Sequence, residues 1–192
     1  MTETPWLLSR EHAGPLDDDA LLHAIALSAF FGHLNRIADA VAVPLDYQVR
    51  HEPPHAEPAT PALVPAPSAS EGEGLELERR PATAAALASW RSYLMDHESA
   101  ALDRGRRALI AGRVAALLGA KVMATEPGSA VEHALVELAD LVTLAPWRLS
   151  DLAFEPLRRE GFADAAVFEA CAIASSTGVW VRIAVAAIAV GR

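Results

Sequence analysis

The side chains able to do chemistry are few and scattered. Cys171 is the one thiol. A thiolate attacks peroxides and disulfides, but a lone cysteine closes no internal disulfide, and the small apolar neighbours of Cys171 mark it as a packing residue. His51 and His55 have the spacing of a helical metal pair, yet they sit among prolines, so no metal site is expected. His97-Glu98 and Glu132-His133 are adjacent pairs on expected helices. Neighbours on a helix point in different directions, so either histidine needs a distant partner to act as a general base, and a solvated or capping role is the simpler expectation. Ser175, Ser176 and Thr177 soften helix packing rather than supply a nucleophile. No glycine-rich phosphate loop is present, and no cofactor is expected.

Arginines offer anion chemistry. Arg104, Arg106 and Arg107 fall within four residues, with Arg113 further on; such a run is either an anion site or a solvated helix face. Arg36 and Arg182 each follow a glycine, Gly32 and Gly178, by four residues. A glycine inside a helix costs about 1 kcal/mol relative to alanine. Side chains on a helix lean toward the residue four positions earlier, so each glycine clears a path for its arginine. These two arginines either anchor an anionic ligand or pin helices together through a buried guanidinium. Pinning is the expectation, with Asp39 a near partner for Arg36 and none so near for Arg182.

The elements that would carry these residues come from a repeat. PWLLS followed by DALLHAIALSAFFGHLNRIADAVAV recurs as PWRLS followed by DAAVFEACAIASSTGVWVRIAVAAIAV. At a single offset Ala20 matches Ala166, Gly32 matches Gly178 and Arg36 matches Arg182. Residues 1–47 read as a capped turn and one long helix that begins at the Asp17–Asp19 cluster and is stopped by Pro44. Residues 48–81 form a linker or arm, with six of the thirteen prolines between His51 and Pro67. Residues 82–192 form a helical core. Its first helix covers 82–101 and its second 102–123. A third runs from Ala130 to Leu144, and a short one from Ser150 to Gly161 is kinked or delayed by Pro156. The last runs from Asp164 to about Val190.

Alanine, leucine and valine dominate, 52% of residues are apolar and 6% aromatic. That composition predicts an all-α fold. So much apolar residue in 192 residues implies surface buried between subunits, and a homo-oligomer is expected. The net charge of −9, with no basic stripe, argues against nucleic acid and anionic membranes. Residues 163–190 are apolar enough to raise a membrane span, but Glu169 and Arg182 lie inside them, so a buried core helix is expected. With one cysteine and no secretory signal at the N-terminus, a cytoplasmic location is expected.

The run PWRLSDLAFEPLRREGFADAAVFEACAIASSTGVWVRIAVAAIA, together with FFGHLNRIADAVAVPLDY, resembles AhpD-like proteins of the carboxymuconolactone decarboxylase superfamily, in the peroxidase-related branch. The resemblance covers about Ala82 to Val190 and again residues 5–47. It implies an oligomeric all-helical bundle carrying an internal helical half-repeat. Redox members of that family use a C-x-x-C pair, an upstream glutamate and a downstream histidine. The thiolate attacks the peroxide, a second thiol closes the disulfide on the resulting sulfenic acid with loss of water, and the acid and imidazole move protons. At the matching positions this chain has Ala120 and Met123 for the cysteines, Ala108 for the glutamate and Pro127 for the histidine. The resemblance therefore implies a subunit that has lost thiol peroxidase activity and serves a binding or structural role, with itself or beside an active paralogue. Two alternatives stand beside it. One is a cysteine-independent enzyme, lactone decarboxylase-like, acting on a small anionic substrate through Arg36, Arg182, Arg107 and His97. The other is a residual alkylhydroperoxidase-related role through Cys171.

Overall fold

A computed structural model describes residues 16–43, 80–98, 101–118, 120 and 125–189. The described residues are helical and contain no strand. The first copy of PW-x-LS, Pro44, Met123 and all of the expected arm except Arg80 and Pro81 lie outside them.

Helix α1 (Asp18–Ala40) starts where Asp17 accepts the Ala20 N–H at 2.7 Å, and Asp18 and Asp19 complement its positive end. It ends four residues before Pro44. The Ala42 N–H bonds to the Asp39 carbonyl and the Val43 N–H to the Ala38 carbonyl, with Ala42 left-handed at φ 50°. This is a Schellman closure, and it terminates the helix without the proline.

Helix α2 (Pro81–Asp96) begins with proline at its first turn, where a missing N–H costs nothing. It stops five residues short of the expected end at 101. Tertiary contact overrides propensity there: Glu169, far along the chain, accepts the N–H groups of Ala101 at 2.7 Å and Leu102 at 3.4 Å. The loop so held places Asp103 to cap helix α3 (Arg104–Leu117) by accepting the Arg106 N–H. That helix also ends early, closed by the Ala120 N–H on the Ala115 carbonyl.

Helix α4 (Ala130–Leu144) has the expected bounds. Ser129 accepts the Glu132 N–H while Glu132 accepts the Gly128 N–H, a reciprocal cap. The second PW-x-LS copy makes a 3₁₀ turn, Pro146–Arg148, that packs beside α1. Helix α5 (Asp151–Arg159) starts on time and runs through Pro156. The carbonyl that Pro156 leaves without a donor belongs to Leu152, which is 81% exposed, so the lost bond lies on the solvent side of the helix. Ser150 takes the cap position without a side-chain bond. Gly161, at φ 86°, closes the helix.

Helix α6 (Asp164–Ala189) is the axis on which α1, α3 and α4 pack. Its fully buried Ile173 and Trp180 meet Ile110 and Val114 of α3 and Leu135 and Val142 of α4 in one core. On another side Val179 and Ile183 pack against Leu22 and Ala29 of α1. The stretch Asp164–Ala184 is long and apolar enough to cross a membrane by length and composition, but 83% of its apolar window is buried among the other helices. The central helix of a bundle carries the same signature.

Candidate functional site

The four positions matched to the redox site carry no reactive group. Ala108 is exposed on α3, Ala120 is buried in the main core, and Pro127 is half-buried before α4. Met123 lies outside the described residues. Cys171 is 1% exposed, and burial pushes its thiol up to about 12. Its thiolate fraction at neutral pH is then on the order of 10⁻⁵.

The arginines diverge. Arg36 reaches from α1 to the last turn of α4, donating from Nε to the Val142 carbonyl at 3.1 Å and from Nη2 to the Thr143 carbonyl at 3.4 Å. Its Nη1 donates to the Gly32 carbonyl at 2.8 Å. Helix α4 has no basic residue in its own last turn, so Arg36 supplies from another helix the charge its negative end favours. Arg107 does the same for α2: buried on α3, it donates from Nη1 to the Leu94 carbonyl, and α2 too lacks a basic last turn. Arg182 repeats the Arg36 geometry locally, donating from Nη1 to the Gly178 carbonyl at 2.9 Å. Arg113 forks onto both oxygens of Asp140 at 2.6 Å, joining α3 to α4. Arg104 pairs with Asp96, and Arg106 with Asp103 while covering the Phe162 ring. The run from 104 to 113 therefore points several ways and builds no common anion site.

His97 is exposed after α2 against the Tyr93 ring, while Arg107 faces the interior. His133 is exposed and folds back on the Ser129 carbonyl, which also accepts its backbone N–H. Among the described residues no three His, Cys, Asp or Glu side chains gather as a metal site.

One polar contact had no sequence signal. His33 of α1 meets Ser175 of α6, Nδ1 to Oγ, at 2.8 Å, and the Ser175 hydroxyl lies 3.2 Å from the His33 carbonyl. A neutral ring with its proton on Nδ1 satisfies both: Nδ1–H donates to Oγ, and the hydroxyl donates to the carbonyl. Burial, and then the Arg36 charge, holds the imidazole below its ordinary value. The pair resembles a nucleophile and base, but Ser175 is 2% exposed, and its ring partner is wedged edge-on against Trp90. It joins the two copies of the repeated helix.

Between α1, α2 and α6 lies a cavity of about 240 Å³. Leu22, Ile25, Phe30, Leu87, Val179 and Ile183 line it, with Trp90 in its wall and Arg80 at its edge. Arg80 Nε is buried there without a hydrogen-bond partner among the described residues. This space suits a small apolar body with an anionic end, and none of the residues aligned with the redox site lines it. Compared with protein-family models, with curated proteins and with solved structures, the chain finds no match.

Proposed function

We propose that this chain is an AhpD-like subunit of the carboxymuconolactone decarboxylase superfamily that has lost thiol peroxidase chemistry and serves as an assembling structural or binding subunit. One observation carries the reading: the single thiol is sealed in the core with its ionisation suppressed, while the positions matched to the family's reactive groups hold Ala108, Ala120, Met123 and Pro127. Thiol peroxidase chemistry needs a thiolate that peroxide can reach and a second thiol to resolve it. The cysteine-independent alternative draws no support from the geometry, because Arg36, Arg107 and Arg182 are turned to helix carbonyls and His97 stands apart.

The test is peroxide turnover with a thiol reductant. Wild type and Cys171→Ser are expected to show the same background rate, and native Cys171 to resist a thiol reagent until the chain is unfolded. A peroxide rate above background that Cys171→Ser abolishes refutes the reading.

A further inference from the structure

Helix α1 turns its most apolar face to solvent. Leu27, Phe30, Phe31 and Leu34 are 47, 44, 59 and 44% exposed, and Val41 extends the line at 48%. Their spacing is that of a single helical stripe. From Ala20 to Asn35 the helix contains no Asp, Glu, Lys or Arg.

The repeat shows what this face lacks. Leu27, Phe30, Phe31 and Leu34 correspond to Ile173, Ser176, Thr177 and Trp180, and every one of those is 0% exposed. On α6 the face is covered by the rest of the bundle, in which α3 and α4 pack on that helix. On α1 the described residues leave the same face largely open, α2 reaching it at Phe30 through Trp90, yet at two of the four positions it carries a larger apolar side chain than the buried copy does. A solvent-facing surface has no use for two phenylalanines where its core-facing twin has Ser176 and Thr177.

A second copy of the chain fits this stripe. From Leu27 to Val41 it runs about 20 Å, and at these exposures it offers several hundred Å² of apolar surface, as large as the biggest patch a monomer ordinarily leaves open. A two-fold axis doubles that area to about 1,000 Å², the least that a specific interface buries. Each chain carries a net charge of −9, so two copies repel unless they meet where charge is absent, and the middle of α1 is such a place. The 3-1-3 spacing is also a seam in which side chains of one helix enter the gaps of another.

We propose that α1 is the assembly face, two copies packing α1 against α1 across a two-fold axis with Phe31 near its centre. The proposal rests on the reading of the chain as an assembling subunit and names the surface that does it. The experiment is sedimentation velocity and light scattering on the full chain, paired with cross-linking. Wild type is expected at twice the 20.3 kDa chain mass or a larger even multiple. The Phe31→Glu/Leu34→Glu double variant should weaken the dimer at least a hundredfold while keeping wild-type helicity by circular dichroism. In a Cys171→Ser background, Phe31→Cys should oxidise to a covalent dimer. Leu152→Cys, on exposed α5, should not. A covalent dimer from Phe31→Cys supports the proposal even if the double variant fails to fold. A wild-type chain that stays at monomer mass at every concentration overturns both the assembly and the face. A wild-type oligomer that survives the double substitution and gives no Phe31→Cys cross-link overturns the face alone.

Discussion

Gly32 and Gly178 each stand one helical turn before an arginine that donates to that glycine's own carbonyl. A Cβ built on Gly32 would lie 3.0 Å from Arg36 Nη1, and one on Gly178 only 2.8 Å from Arg182 Nη1. The two positions therefore respond differently to alanine. At Gly32 the guanidinium is part-exposed and can give way, so the helical gain of about 1 kcal/mol offsets its displacement and Gly32→Ala is close to neutral. At Gly178 the arginine, Arg182, is buried at 5% exposure, and its guanidinium has little room to swing. Gly178→Ala then loses a bond to a buried charged donor, worth about 1–3 kcal/mol, and lowers the melting temperature by several degrees. Thermal denaturation followed by circular dichroism reads both, and equal effects at the two sites would sink the argument. The glycine–arginine spacing was legible because side chains on a helix lean toward its N-terminus. The destination of Arg36 was not. Asp39, three residues on, looked like its partner, whereas the acceptors are carbonyls at the end of α4, more than a hundred residues away. Asp39 feels burial, which raises its carboxyl, more than it feels Arg36.

Helices α1 and α5 end by the same device, built once with the wrong residue. Both close with paired bonds to the third- and fifth-preceding carbonyls, through Ala42–Val43 in one and Gly161–Phe162 in the other. Both need a left-handed residue, Ala42 at φ 50° and Gly161 at φ 86°. A non-glycine residue in that region carries a penalty of about 1–2 kcal/mol, reduced by the greater freedom glycine brings to the unfolded chain. Ala42→Gly should therefore stabilise the protein by about 0.5–1 kcal/mol. Gly161→Ala should destabilise it by about 1 kcal/mol, and by strain alone, because nothing lies within 4 Å of its added Cβ. Chemical denaturation of both variants checks the opposed signs. The ends of α2 and α3 depend on distant or closing contacts that periodicity does not contain: Glu169 arrests the chain after α2, and a backbone bond at Ala120 closes α3. The bounds of α4 were readable because its breaks, Pro127-Gly128 before it and Pro146 after it, are local in the sequence, as is the reciprocal cap of Gly128, Ser129 and Glu132.

Composition predicted an all-helical chain and the repeat its two long helices, α1 and α6; the structure packs these side by side. Their polar join was invisible in it, because His33 and Ser175 are not equivalent positions and neither reads as a partner of the other. The resemblance made a candidate site legible only as a set of replacements; the cavity between α1, α2 and α6 is assembled from three separate stretches of the chain. The His33–Ser175 join makes stability depend on pH. Burial and Arg36 hold the folded imidazole below its ordinary 6.5. As pH falls through that value the unfolded chain takes up the proton first, so it binds more protons than the folded chain and stability falls. The contribution is complete above about 6.5, declines below it, and levels off once the folded ring also charges. His33→Asn keeps an N–H for Ser175 and removes the titration. Taken from about pH 7.5 to about pH 5.5, the wild-type melting temperature should drop more than that of His33→Asn. Asp39, whose raised carboxyl acts with the opposite sign, is common to both proteins and cancels in the difference. Parallel curves for the two proteins would show that the ring charges as easily folded as unfolded, and that the two copies of the repeated helix are not joined through a neutral His33.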